Sequence, residues 1–142
     1  MIGQHLKFDR NVLANYDIHL NAIENDTMLM SYVYDPTATR HNLDAMASHY
    51  LNVKTTTFED VAGKGVKQLT FNQIPLEKAS DYAAEDADIT FRCYSHLKPV
   101  LAKTPSLEKV LHEIELPLVP VLSDMEQAGT LVNEEALKVQ SN

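Results

Sequence analysis

The chain has 142 residues, 44% of them hydrophobic and 23% charged, with a formal net charge of −8. That composition excludes a disordered chain, and the length suits one domain with a sizeable core. The acidic balance argues against a simple electrostatic clamp on nucleic acid, and the longest apolar run falls far short of a membrane span.

A single cysteine, Cys93, excludes an internal disulfide and suits a reducing compartment. Met1-Ile2-Gly3-Gln4-His5 lacks the basic start and apolar core of a signal peptide, so a cytoplasmic location is expected. Charge is unevenly spread. Residues 1–71 carry six basic and eight acidic side chains, whereas residues 72–142 carry six and twelve. An acidic protein can still meet nucleic acid where metal ions neutralise its carboxylates.

In chain order, Met1 to Gln4 reads as a short strand leading into a helix from Leu6 to about Tyr16, with Leu6, Leu13 and Ala14 inward. Asp17 ends it, and Ile18 to Ile23 reads as a second short strand. Asp26-Thr27 caps a helix through Met28, Leu29, Tyr32 and Val33. Asp35-Pro36-Thr37 is a turn. Asn42 caps the next helix, whose apolar face is Leu43, Met46, Ala47, Tyr50 and Leu51. Lys54 to Thr70 reads as loop. Its Gly63-Lys64-Gly65 is too short and wrongly spaced for a phosphate-binding P-loop.

A long helix follows from Ile74 to Leu97, with Pro75 in its first turn. Its inward positions are Ala79, Tyr82, Asp86, Ile89, Cys93 and Leu97. Pro105 opens another helical segment, with Leu107, Leu111, Ile114, Leu118, Leu122 and Met125 inward, kinks at Pro117 and Pro120, and a C-cap at Gly129. Strands are scarce, so these segments read as the helical layers of an α/β fold. The expected division is residues 1–104 and a helical connection over residues 105–142.

Tyr82 and Asp86, four residues apart, share one helix face. A carboxylate on an apolar stripe is costly unless a cation meets it. A divalent metal is one such partner; a neighbouring hydrogen-bond donor at the rim of the core is the other. Metal-dependent phosphodiester cleavage needs carboxylates converging on hard cations, and aspartate suits Mg²⁺. A tyrosine one turn before such an aspartate could orient an attacking water. The acids to weigh are Asp9, Asp26, Asp86 and Asp88, of which Asp26 reads as a helix cap and Asp88 as a solvated acid. The six histidines lack the spacing of a zinc site, and Cys93 reads as a small buried residue.

Longer runs carry more information. Gly3-Gln4-His5-Leu6-Lys7-Phe8-Asp9-Arg10, Asp26-Thr27-Met28-Leu29, the run from Gly63 to Ile74, and Tyr82-Ala83-Ala84-Glu85-Asp86-Ala87-Asp88 resemble the proofreading 3′–5′ exonuclease domain of bacterial DNA polymerase I. Leu116-Pro117-Leu118-Val119-Pro120-Val121-Leu122 through Gly129 is similar to its join into the polymerase. The resemblance covers essentially the whole chain and implies a partial ribonuclease H-like fold. It also implies two Mg²⁺ or Mn²⁺ ions in the complete site, a single-stranded or frayed 3′ DNA end as substrate, and a cytoplasmic, nucleoid-associated bacterial enzyme.

Residue by residue, the resemblance implies that Asp9 holds the second metal, largely through water, and that Asp86 is a direct ligand of the first. Tyr82 positions the attacking water. Phe58 packs on a base near the 3′ end, and Arg40 lies near the terminal phosphates. His5 stands where the family has an asparagine that helps place the substrate end. Without the resemblance, Asp9 could be a surface residue, Phe58 a core residue and Arg40 the partner of an acid.

The family's first motif, Asp-x-Glu on a strand, is expected upstream of Gly3. The chain's one Asp-x-Glu, Asp124-Met125-Glu126, sits on a helix near the polymerase join and reads as coincidence. The isolated chain is therefore expected to be weakly active or inactive. Two other readings stand beside this one. One is a non-catalytic degenerate or split-gene module binding DNA or a complementary polypeptide carrying the missing N-terminal part of the domain. The other is a relative acting on RNA ends.

Overall fold

A computed structural model describes residues 1–141; Asn142, at the end of the expected second segment, lies outside the described residues. The molecule is mostly helical around a minimal sheet. β1 (Ile2–Gly3) pairs in parallel with β2 (Asn25–Asp26), Ile2 opposite Asn25 and Gly3 opposite Asp26. Between them lies α1 (Leu6–Ala14), shorter than the expected run to Tyr16.

Ile18 to Ile23 is not a strand. Ile18 is exposed, and the Met1 terminal amine, just before β1, donates to the Ala22 carbonyl at 2.9 Å. Pairing begins two residues beyond the apolar run because the backbone N–H groups of Glu24 and Asn25 turn onto the Met1 carbonyl.

α2 (Thr27–Tyr34), the expected helix, buries Thr27, Met30, Ser31 and Val33 and leaves Tyr32 exposed. α3 (Leu43–Met46) is capped by the Asn42 side chain, which accepts from the Ala45 N–H at 2.9 Å. It widens into a π turn over Ala47–Leu51 that ends at Asn52 with φ 53°. The expected apolar face holds there: Met46 and Ala47 are buried, with Leu43, Tyr50 and Leu51 packed against the core.

The stretch read as loop contains α4 (Phe58–Ala62) and two short 3₁₀ turns, Gly65–Lys67 and Phe71–Gln73. α4 forms because Thr57 and Asp60 cap it: the Asp60 carboxylate accepts from the Thr57 N–H at 2.9 Å and hydroxyl at 2.7 Å.

α5 (Leu76–Leu101) begins after Pro75 and runs one turn past the expected end, through Pro99. It lays Ile89, Cys93, Leu97 and Leu101 into a core shared with Met30, Val33, Met46, Ala47, Leu111 and Leu116. Each large side chain buried there contributes about 1.5–3 kcal/mol. A second small cluster, Ala62, Ile74 and Ala79, fastens α4 to the start of α5.

α6 (Pro105–Val110) continues through a π turn (Leu111–Glu115) into α7 (Leu116–Ala128), which stops at Gly129 with φ 70°. The turn corrects the expected face. Up to Leu111 the inward positions follow the sequence pattern; beyond it they fall one residue later, on Leu116, Val119 and Ser123. Ile114, Leu118, Leu122 and Met125 are exposed instead. A π turn adds one residue to the helical period, and the Leu116 N–H reaches back to the Leu111 carbonyl. Its width accommodates Pro117, whose ring in a straight helix would strike the Glu113 carbonyl. α8 (Glu134–Gln140), capped by Asn133, is exposed.

Candidate functional site

Three elements converge on one open cleft of about 400 Å³: β1 with the residue after it, α1, and the middle of α5. Gly3 and Gln4 form one wall, Asp9 enters from α1, and Asp86 and Thr90 enter from α5. So the structure brings Asp9 and Asp86 to the same cavity from helices far apart in sequence.

The carboxylate of Asp26 sets how α1 starts. It accepts from the N–H groups of His5 at 3.1 Å and Leu6 at 2.7 Å, while also capping α2 through Met28 at 2.9 Å and Leu29 at 3.4 Å. Asp26 is therefore the expected cap, twice over. Its position forces a tight return of the chain, in which His5 adopts φ 60° and Leu6 folds back over Gly3. A Cβ on Gly3 would lie 2.3 Å from Leu6 Cδ2, so any larger residue would have to displace that buried side chain.

The cleft is electrostatically uncompensated. Burial pushes the Asp86 carboxyl above the usual carboxylate range; Tyr82 partly opposes this, and the negative charges of Asp44 and Glu85 add to it. Asp9 is raised as well, first by burial, with His5 opposing and Asp26 adding. Asp44 accepts from the Thr55 hydroxyl at 2.6 Å and Glu85 from the Thr56 N–H at 3.1 Å, so both are occupied. Among the described residues no cationic side chain forms an ion pair with Asp9 or Asp86. Asp88, by contrast, is solvated and pairs with Arg92 one turn on.

Tyr82 sits beside Asp86. Burial, and then the Asp86 charge, push its hydroxyl up to about 12, so it stays protonated at neutral pH. Its ring lies between two phenylalanines, with centroids 6.4 Å from Phe58 and 6.3 Å from Phe71. Phe58 is half-buried at the first position of α4 and also packs against Ala62, Ile74 and Ala79.

The other two expected residues lie apart from this group. The His5 ring stacks on Phe8 at 6.0 Å and meets the cleft only through its effect on Asp9. Arg40 is exposed in the loop before α3, and no described contact joins it to Asp86 or Tyr82. A link through the backbone exists, because Gln4 Nε2 donates to the carbonyl of His41 at 2.9 Å. Gln4 and Phe71 were not singled out by sequence reasoning. Both lie in the long runs that carry the resemblance, which was the signal available for them.

Two hard carboxylates without a cationic partner fit a hard divalent ion as part of its ligand set, with waters and substrate oxygens completing the shell. Among the described residues, no three His, Cys, Asp or Glu side chains gather into a larger metal cluster. Asp124 and Glu126 do not line this cleft; they pair with Arg10 and Lys7 on α1. Among the described residues no helix is long and apolar enough to cross a membrane.

The cleft is thus acidic, walled by the short parallel sheet, with Tyr82 next to one of its two carboxylates. A family model described as 3′–5′ exonuclease matches residues 1–102, and the chain belongs to that family. It is 54% identical over 142 residues to DNA polymerase I of Pseudomonas aeruginosa, covering 99% of this chain and 16% of that protein. It is 39% identical over 136 residues to DNA polymerase I of Rhizobium leguminosarum, covering 96% and 13%. The DNA polymerase of Escherichia phage T5 is 27% identical over 153 residues, covering 97% and 18%. The chain thus spans less than a fifth of the length of these relatives.

Proposed function

We propose that this chain is the proofreading part of a DNA polymerase I-type enzyme, removing 3′-terminal nucleotides from single-stranded or frayed DNA ends. The observation that carries the reading is the convergence of Asp9 and Asp86 on one cleft with Tyr82 beside it. The family match supports the reaction class, and the relatives' names support DNA as the polymer. On this reading the fold is the helical part of a ribonuclease H-like domain, with β1 and β2 belonging to its sheet.

Asp86 and Asp9 would hold Mg²⁺ or Mn²⁺. Bound there, such ions supply Lewis-acid assistance to an attacking water and to the leaving oxygen. The chain's own groups bind and orient. The protonated Tyr82 hydroxyl directs the water toward the phosphorus. Phe58, backed by Tyr82, offers a stacking face that accepts any base. Arg40 presents a guanidinium fork to the terminal phosphates from the loop that Gln4 tethers. His5 occupies the place of a substrate-positioning residue and moderates the charge on Asp9.

The division near residue 104 is one of role rather than packing: the break between α5 and α6 falls there, yet Leu111 and Leu116 share the core of the first part. With two carboxylates of its own, the isolated chain cleaves weakly. Incubation with 3′-labelled single-stranded DNA and Mn²⁺ should give slow release of nucleotides from the 3′ end, lost in Asp86→Ala. Release from the 5′ end, or digestion unaffected by Asp86→Ala, would overturn the proposal.

A further inference from the structure

α1 carries Asp9, yet it has almost no hydrophobic hold on the molecule. Its one buried residue is Leu6, at its first position. Beyond that point the helix is held by side chains that reach α7. Lys7, Arg10 and Asn11, spaced three and four apart, share a face; Pro120, Ser123, Asp124 and Gln127 do the same on α7.

The two faces interlock. Arg10 Nη1 donates to Asp124 Oδ1 at 2.8 Å, to the Pro120 carbonyl at 3.5 Å, and to the Ser123 hydroxyl. Asn11 donates to Glu126 at 2.7 Å, and its side-chain oxygen accepts from the Ser123 hydroxyl and from Gln127 at 3.2 Å. Lys7 pairs with Glu126. Ser123 is fully buried at the centre of this set, and Gln127 donates to it at 3.1 Å.

We propose that Arg10, Asn11 and the buried Ser123 are positioning residues, fixing the rotation of α1 and thereby where Asp9 stands opposite Asp86. Asp26 and Leu6 pin the first turn, and the α7 set blocks rotation about the axis. The lever is short but sufficient. A rotation of about 10° carries a side-chain tip at roughly 6 Å from the helix axis through about 1 Å. A displacement of about 1 Å is enough to spoil a catalytic arrangement. The role rests on the exonuclease reading for its purpose, but the geometry it asserts does not.

The test separates the two. Nitroxide labels at Val12→Cys on α1 and Asp88→Cys on α5, both exposed, report the spacing of the helices while leaving Asp9 and Asp86 in place. Cys93, fully buried, stays unlabelled. In this background Arg10→Met and, independently, Asn11→Ala should broaden or shift the interspin distance distribution, and Arg10→Lys should restore much of it. Ile89→Val, which loosens the core away from the clamp, should leave it unchanged. An unchanged distribution in both Arg10→Met and Asn11→Ala, or a change equal to that of Ile89→Val, overturns the positioning role.

Mn²⁺ titration followed by electron paramagnetic resonance then reads the consequence in the unlabelled chain. Affinity should fall on the order of tenfold in Arg10→Met. If Mn²⁺ binding proves indifferent to Asp86→Asn, the exonuclease reading fails while the distance result still decides the clamp.

Discussion

Asp26 holds the N–H of Leu6 at 2.7 Å across twenty residues of chain, so a residue that caps its own helix also starts another. The same carboxylate serves Met28 and Leu29, and it is almost fully buried. Removing one N-cap costs about 0.5–2 kcal/mol, and here two helix starts lose their acceptor together. Asp26→Ala should therefore destabilise the fold by roughly 1–4 kcal/mol in urea denaturation. Asp26→Asn, which keeps one oxygen acceptor, should lose less.

Asp86 should behave in the opposite way. Its folded carboxyl titrates above the ordinary value, so between the unfolded and folded pKa the native state binds more protons. Stability contributed by this group is therefore fully present below the ordinary carboxylate value and declines as pH rises through the folded one. Asp86→Asn should raise the melting temperature at pH 7 and flatten the dependence over mildly acidic pH. The same variant should weaken Mn²⁺ binding. A melting temperature that falls at pH 7 would contradict this account.

Phe58 is proposed to lend a stacking face to a base. Base–aromatic stacking contributes about 1–3 kcal/mol, so Phe58→Ala should weaken binding of a short single-stranded DNA by roughly 5- to 150-fold. Fluorescence anisotropy at low salt checks it. Phe58→Tyr should retain most affinity, because the ring face survives.

Cys93 offers a probe of the core. Burial pushes its thiol up to about 11, and its side chain is fully enclosed. At pH 8 the thiolate fraction is on the order of one in a thousand. An aromatic disulfide reagent should leave the native chain unreacted and titrate one thiol once urea unfolds it. Rapid reaction without denaturant would mean that α5 opens locally.

The sequence made some of this legible for reasons that differ by element. The cap at Asp26 could be read because a short acid directly precedes an apolar helical pattern. The long helix around Tyr82 and Asp86 could be read because Ala79, Ile89, Cys93 and Leu97 keep a steady period. The strand expected at Ile18–Ile23 failed because alternation signals a strand only when a neighbour supplies hydrogen bonds. α4 has no periodic signature because five residues are shorter than any periodic window, although Thr57 and Asp60 have the spacing of a cap. Of the candidate site, Asp9, Asp86, Tyr82 and Phe58 could be named in advance. That Gln4 ties the Arg40 loop to the cleft wall could not, because a side chain reaching a distant carbonyl leaves no pattern in the chain.

The π turn at Leu111–Glu115 works like an extra beat in a bar of music: every later residue of the helix arrives on the other foot. The same residues wound as a plain α-helix, with none removed, would stay in step with the pattern before the turn. Leu118 and Leu122 would swing to the core, and Ser123 would leave it, taking the grip on Arg10 with it. The polar seam under α1 thus exists because one turn of a neighbouring helix is wound too wide. The winding of that turn, rather than the side chains of the cleft, is where this architecture is easiest to retune.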